Sequence, residues 1–170
     1  MSPRPSTPAN RRLVSLVQQL GAPGPNTAGV RAATVSAQHP NDATITAVRA
    51  IKTAPYGARL VIVKIETSIP GLTGVGCATF TQRASTVALA VDEYLAPFLL
   101  GRRASEIEDI WQSAFVSSYW RSGPVLNNAL SGVDQALWDI KGKVAGMPVH
   151  DLLGGKQRKA APVYVHSSGK

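Results

Sequence analysis

The sequence predicts an α+β domain in which a three-stranded antiparallel meander is followed by a bundle of helices. Three observations predict it. Between Thr44 and Phe80 apolar residues alternate with a period of two, the spacing of half-buried strands. Two turn signals, Pro55 with Gly57 and Pro70-Gly71, divide that stretch into three runs, because proline presets φ and glycine supplies φ > 0. Beyond Ala84 the period lengthens to that of helices. Strands first and helices second is the pattern of helices packed on one face of a sheet.

In order along the chain, Ile45, Ala47, Arg49 and Ile51 alternate with Thr46, Val48 and Ala50 in the first strand. The β-branched run Arg59 to Thr67 makes the second, and Val75 to Phe80 the third. A helix over Ala84 to Leu95 places Val87, Leu89, Val91 and Leu95 inward and stops before Pro97. The next starts at Ser105, where SEIE reads as a capping box, and buries Ile107, Ile110, Trp111, Ala114 and Phe115. The longest helix follows Gly123 and Pro124. Its apolar residues Leu126, Ala129, Leu130, Val133, Leu137, Ile140 and Val144 form one stripe. Gly146 and Pro148 end it, and His150 to Leu153 adds a short turn before Gly154 and Gly155.

Residues 1–42 form a separate region, a basic and proline-rich extension expected to be disordered. It holds six of the chain's twelve prolines and no aromatic residue. Within it Leu13, Leu16, Val17 and Leu20 make a short helical face behind Arg11 and Arg12. A solvated tail, an organellar transit peptide and a twin-arginine export signal are all open readings of that face. Residues 43–155 are the predicted domain, and 156–170 begin another with a strand over Ala161 to His166.

Composition narrows the function. With 44% hydrophobic and 16% charged residues the chain is globular, and no apolar run approaches a membrane span, so a soluble, cytoplasmic protein is expected. One cysteine, Cys77, rules out an internal disulfide framework. The net charge of +8 comes from the two ends, since residues 42–155 hold as many acidic as basic side chains. A nucleic-acid reader would carry that charge on its fold, so neither nucleic acid nor membrane is an expected partner.

The segment ALSGVDQALWDIKGKVAGMPVHDLLGG, from Ala129 to Gly155, resembles the signature of the mandelate racemase and muconate lactonising enzyme branch of the enolase superfamily. Within that branch IEDIWQ from Ile107, YWRSGP from Tyr119 and VYVH ending in His166 resemble the D-mannonate and D-gluconate dehydratase group. The resemblance implies an enolase-like N-terminal capping domain, ending in the first strand of an incomplete (β/α) barrel. It also implies a homo-oligomeric, Mg²⁺-dependent lyase that removes water from an acid sugar after abstraction of the proton α to its carboxylate.

Such chemistry needs carboxylates for the metal and a Lys, His or Tyr base, which in this superfamily project from later barrel strands. The residues here offer no carboxylate trio; Asp134 and Asp139, five apart on the long helix, point about 140° from each other. No catalytic residue and no metal ligand is therefore expected in these 170 residues, and the chain alone is expected to be inactive.

The resemblance assigns the substrate rim instead. His166 matches the family's substrate-binding histidine. Thr81 stands where the family has a substrate-binding asparagine, and threonine cannot offer both an amide donor and a carbonyl acceptor. Trp120 and Arg121 would wall the pocket, or serve as a packed aromatic and a surface guanidinium. Two functions remain open: the N-terminal, substrate-specificity part of an acid-sugar dehydratase, and a non-catalytic α+β module that acts by association through the exposed edge at Val163 to His166.

Overall fold

The computed structural model describes residues 39–118 and 121–165. The sheet has the predicted topology, with β1 (Ile45–Thr53), β2 (Leu60–Thr67) and β3 (Thr73–Cys77) in the order β1-β2-β3, both pairs antiparallel. Gly71 provides the positive φ of the second turn. On β2 the alternation is strict: Val61, Val63 and Ile65 are fully buried while Ile62, Lys64 and Glu66 face outward. Each of those three inward side chains contributes roughly 1.5–3 kcal/mol by leaving water.

β1 departs from the simple alternation. Its register shifts between Ile45 and Ala47, a bulge at Thr46 that moves the following residues to opposite faces. Ile45 is buried, but beyond the bulge it is Val48 and Ala50 that pack against the core, and Ile51 is exposed. The predicted pairing of Ile45 with Ile51 on one face is thus broken by one extra residue.

The helices lie on the face lined by Val61, Val63 and Ile65. They are α1 (Ala84–Ala90), α2 (Ala96–Leu99), α3 (Ile107–Phe115), α4 (Pro124–Ala145) and α5 (Val149–Leu152). Between α1 and α2 the chain does not stop before Pro97. It continues through a π-turn, Val91–Leu95, in which the Ala96 N–H donates to the Val91 carbonyl. The wider turn relieves the clash that a proline ring makes with the carbonyl four residues back. Val87 and Val91 point into the core, whereas Leu89, two residues from each, is exposed.

Nor does the expected capping box form at Ser105. The helix starts at Ile107 with Glu106 at its N-cap, making no side-chain cap bond. Arg103 takes the Glu106 carboxylate, with Nε 2.8 Å from it. Arg103 is itself fixed, because residues 101–104 run beside the start of β1: the Ile45 N–H donates to the Arg102 carbonyl at 2.8 Å and the Ala104 N–H to that of Ala43 at 2.9 Å. The last residues of the N-terminal extension belong to this edge, since Pro40–Asp42 is a 3₁₀ turn leading into buried Ala43. Residues 1–38, with their predicted targeting face, lie outside the described residues.

α4 has the predicted ends. Gly123 precedes Pro124, and Gly146 closes the helix at φ 65° while the Met147 N–H donates to the Gly142 carbonyl at 3.0 Å. Its stripe from Ala129 to Ile140 is buried, with Leu126 left exposed. The helix lies almost backbone to backbone on β3. A Cβ on Gly74 would fall 2.0 Å from the Ala136 carbonyl oxygen, one on Gly76 2.0 Å from that of Gly132, and one on Gly132 2.6 Å from Ala78 Cβ.

After α5 the chain makes no strand through Val165, and Val163, Tyr164 and Val165 are exposed. An extended segment becomes a strand only beside a neighbour, and the described residues supply none there. Among them no helix is long and apolar enough to cross a membrane.

Because the oxygens facing Gly74 and Gly76 are backbone atoms held in a helix, they cannot swing aside. Gly76→Ala is expected to cost on the order of 3 kcal/mol, the upper end of ordinary overpacking, read as a lower urea midpoint at unchanged slope. A loss below about 0.5 kcal/mol would show that α4 is not seated this closely.

Candidate functional site

Thr81 opens a 3₁₀ turn, Thr81–Arg83, between β3 and α1. It is exposed, and its hydroxyl donates to Gln82 Oε1 at 3.0 Å. The chain reaches it along a well-tied path. On the inner side the Ala78 N–H donates to the Val61 carbonyl at 2.9 Å, and Thr79 Oγ1 accepts from the Val61 N–H at 3.0 Å. On the outer side the Cys77 N–H donates to Gln135 Oε1 at 3.1 Å, and Gln135 Nε2 donates to the Cys77 carbonyl at 3.3 Å.

Arg121 lies elsewhere. It borders a cleft of about 380 Å³ whose walls are Ala90, Tyr94 and Leu95 from α1 and the π-turn, Ala114 and Phe115 from α3, and Leu126 and Leu130 from α4. Ser117, Ser118, Ser122 and Asn127 complete the rim, and Arg121 Nε donates to the Ser118 carbonyl at 3.3 Å. Thr81, at the opposite end of α1, is not among the lining residues. The structure therefore does not unite Thr81 and Arg121 in one cleft. Trp120 and His166 lie outside the described residues.

The cleft has an apolar floor and one polar rim. Among the described residues no carboxylate, imidazole or amine lines it, and its polar side chains are those of Tyr94, Arg121, Asn127 and the three serines.

Several carboxylates are engaged by the fold. Glu66 is paired with Arg49 and, at 3.0 Å, with Lys64, whose hydrogen bonds hold its carboxyl below the usual range. Asp92 accepts from the Ala50 N–H at 2.8 Å, Asp109 pairs with Arg102 at 3.1 Å, and Asp139 pairs with Lys143 at 2.7 Å and accepts from the Val75 N–H at 3.0 Å. Among the described residues no three of His, Cys, Asp and Glu are grouped to hold a metal ion. The described donors thus do not by themselves make a site that fits Mg²⁺.

Positioning falls to residues with no sequence-predicted role in a site. Gln135, Asp139 and Lys143 line the free edge of β3, with Lys143 Nζ donating to the Thr73 carbonyl at 2.7 Å. Their signal was a polar stripe at successive i+4 spacings, Ser131, Gln135, Asp139 and Lys143, beside the apolar one.

Comparison with known proteins places these elements. The family described as mandelate racemase / muconate lactonizing enzyme, N-terminal domain, matches residues 29–154. A D-galactonate dehydratase family member of Salmonella virchow is 66% identical over 125 residues, which are 74% of this chain and 30% of that protein. One from Catenulispora acidiphila is 63% identical over 125 residues, 74% of this chain and 29% of that protein. A crystal structure of an enolase from Pantoea ananatis with bound D-gluconate and Mg superposes with a TM-score of 0.67 at 68% identity, covering 68% of this chain and 28% of that one. A putative dehydratase from Mesorhizobium loti gives 0.62 at 35% identity, covering 68% and 31%. The chain spans about 30% of the length of the curated relatives it matches.

One carboxyl is perturbed the other way. Partial burial, then the nearby Glu108 carboxylate, raises the Asp134 carboxyl above the usual aspartate range. A raised folded-state value makes the ionised carboxylate unfavourable to folding, and this cost disappears as pH falls through that value. Asp134→Asn is expected to raise the melting temperature at neutral pH, by no more than about 0.5 kcal/mol in stability given solvent screening. The gain should vanish just below the ordinary aspartate range. Thermal melts of both proteins across that window check it, and an equal gain at every pH would exclude the electrostatic cause.

Proposed function

The chain belongs to the mandelate racemase / muconate lactonizing enzyme family by its N-terminal domain, and on that premise we propose that it serves as the substrate-specificity part of a Mg²⁺-dependent acid-sugar dehydratase. The observation that supports this most is the match over residues 29–154 together with 68% identity to a protein whose structure holds D-gluconate and Mg. Asp92, Asp109 and Asp139 are engaged in backbone and salt-bridge contacts. In this reading the metal ligands and the base come from outside residues 39–165. Mg²⁺, when bound there, would stabilise the negative charge that develops as the α-proton leaves.

What this chain's own residues do is bind and exclude. Thr81 would face the substrate as a hydroxyl where relatives of the D-gluconate type place an amide, which removes one donor-acceptor pair and favours a differently hydroxylated acid. His166 would bind substrate from the end of the segment beginning at Ala161, and Trp120 with Arg121 would wall the pocket. The complete enzyme is proposed to be a cytoplasmic homo-oligomer. The alternative, a non-catalytic association module, is favoured by Val163, Tyr164 and Val165, which are 82–89% exposed in a row.

The purified 170-residue chain is expected to show no turnover of D-gluconate or D-mannonate with Mg²⁺; turnover by it alone would overturn this division of roles. A chimera in which residues 39–155 replace the matching part of the Pantoea ananatis protein is expected to bind D-gluconate in calorimetry. Thr81→Asn should change that affinity about tenfold, the effect of one buried polar pair. No binding by a folded chimera would count against the specificity role.

A further inference from the structure

We propose that Gln135 is the positioning residue for the turn that carries Thr81. Its side-chain amide imitates a neighbouring strand at the one point where β3 ends. Oε1 accepts from the Cys77 N–H at 3.1 Å, and Nε2 donates to the Cys77 carbonyl at 3.3 Å, so one side chain satisfies both backbone groups of the last strand residue. The second Nε2 hydrogen goes to Ser131 Oγ at 2.9 Å, one helical turn earlier. That bond uses the remaining donor and fixes which way the amide faces.

The seat for this side chain is built on both sides. A Cβ on Gly76 would fall 2.9 Å from Gln135 Cβ, so only glycine next to Cys77 lets the glutamine stem lie flat along the strand. Beyond Cys77 the chain is held from the opposite side by Val61, through Ala78 and Thr79, and the Arg83 N–H then closes the turn on the Phe80 carbonyl at 3.0 Å. Cys77 is where the outer and inner ties meet. A shift there is carried four residues on to Thr81, on a segment with few internal degrees of freedom. Asp139 and Lys143 tie Val75 and Thr73 further from the turn, which leaves Gln135 as the tie from α4 nearest residue 81, opposite those from Val61. The functional meaning of this inference rests on the proposed substrate role of Thr81.

Amide hydrogen exchange on the full 170-residue chain tests it. Gln135→Met keeps the length and the apolar stem over Gly76 but removes all three hydrogen bonds. The amides of Cys77, Ala78 and Arg83 are expected to exchange roughly 5- to 10-fold faster, the loss of one net hydrogen bond's worth of protection. Those of Val63 and Ile65, in the sheet centre, should be unchanged. Gln135→Glu, which can still accept from the Cys77 N–H but cannot donate to its carbonyl, should recover most of the Cys77 protection. Faster exchange spread evenly over the domain would make Gln135 a general stabiliser and overturn the proposal, as would no change at residues 77–83. A chimera whose D-gluconate binding ignores residue 81 would instead sink the proposed substrate role and leave the tether standing.

Discussion

Two periodicities meet where α4 lies along β3. Alternate residues of a strand are about 6.8 Å apart, and every fourth residue of a helix about 6.0 Å. The two rows stay in step for three contacts: Cys77 with Gln135, Val75 with Asp139 and Thr73 with Lys143. Between them Gly74 and Gly76 bring the strand against the helix backbone. The glycines and the polar stripe depend on each other, since side chains as short as Asp139 and Gln135 reach the strand's N–H groups only because nothing holds the helix away. The unpaired groups of an edge strand, a liability in most sheets, are satisfied by a helix of the same domain. The rest of the layer follows, because the same helix presents Val133, Leu137 and Ile140 to the core.

Much of this was legible in the residues. Pro70-Gly71, the strict alternation of β2 and the Gly123-Pro124 and Gly146 boundaries of α4 are local signals, and local structure obeys them. The failures share a cause, which is that a remote partner outweighed the local preference. Residues 101–104 pair with the start of β1 and Arg103 takes Glu106, so the helix begins at Ile107 with Glu106 at its N-cap, one residue later than a box of Ser105 with Glu108 requires. Pro97 stops a helix only if the turn before it stays α, and the π-turn at Val91–Leu95 removes that condition. The bulge at Thr46 leaves no mark in composition at all.

The candidate site was legible in a different way. Thr81 is conspicuous only through the resemblance, because an exposed threonine after a strand carries no chemical signal of its own. Gln135 was hidden by distance: its partner Cys77 is 58 residues away, and a glutamine on the outer side of an apolar stripe reads as solvated surface. Two of the acidic residues have structural partners that are remote in sequence. Asp92 caps an N–H of β1, and Asp139 bridges helix and strand.

The closure of β3 by α4 also has a timetable. Lys143 is 70 residues beyond Thr73, so on a ribosome adding about 5–20 residues per second β3 begins to be made roughly 4–14 s before the helix that covers its edge is finished. Throughout that interval Thr73, Val75 and Cys77 present open backbone groups to whatever strand is nearby. The same contacts that give the finished domain a sealed edge therefore leave the nascent chain with an open one until α4 has been made.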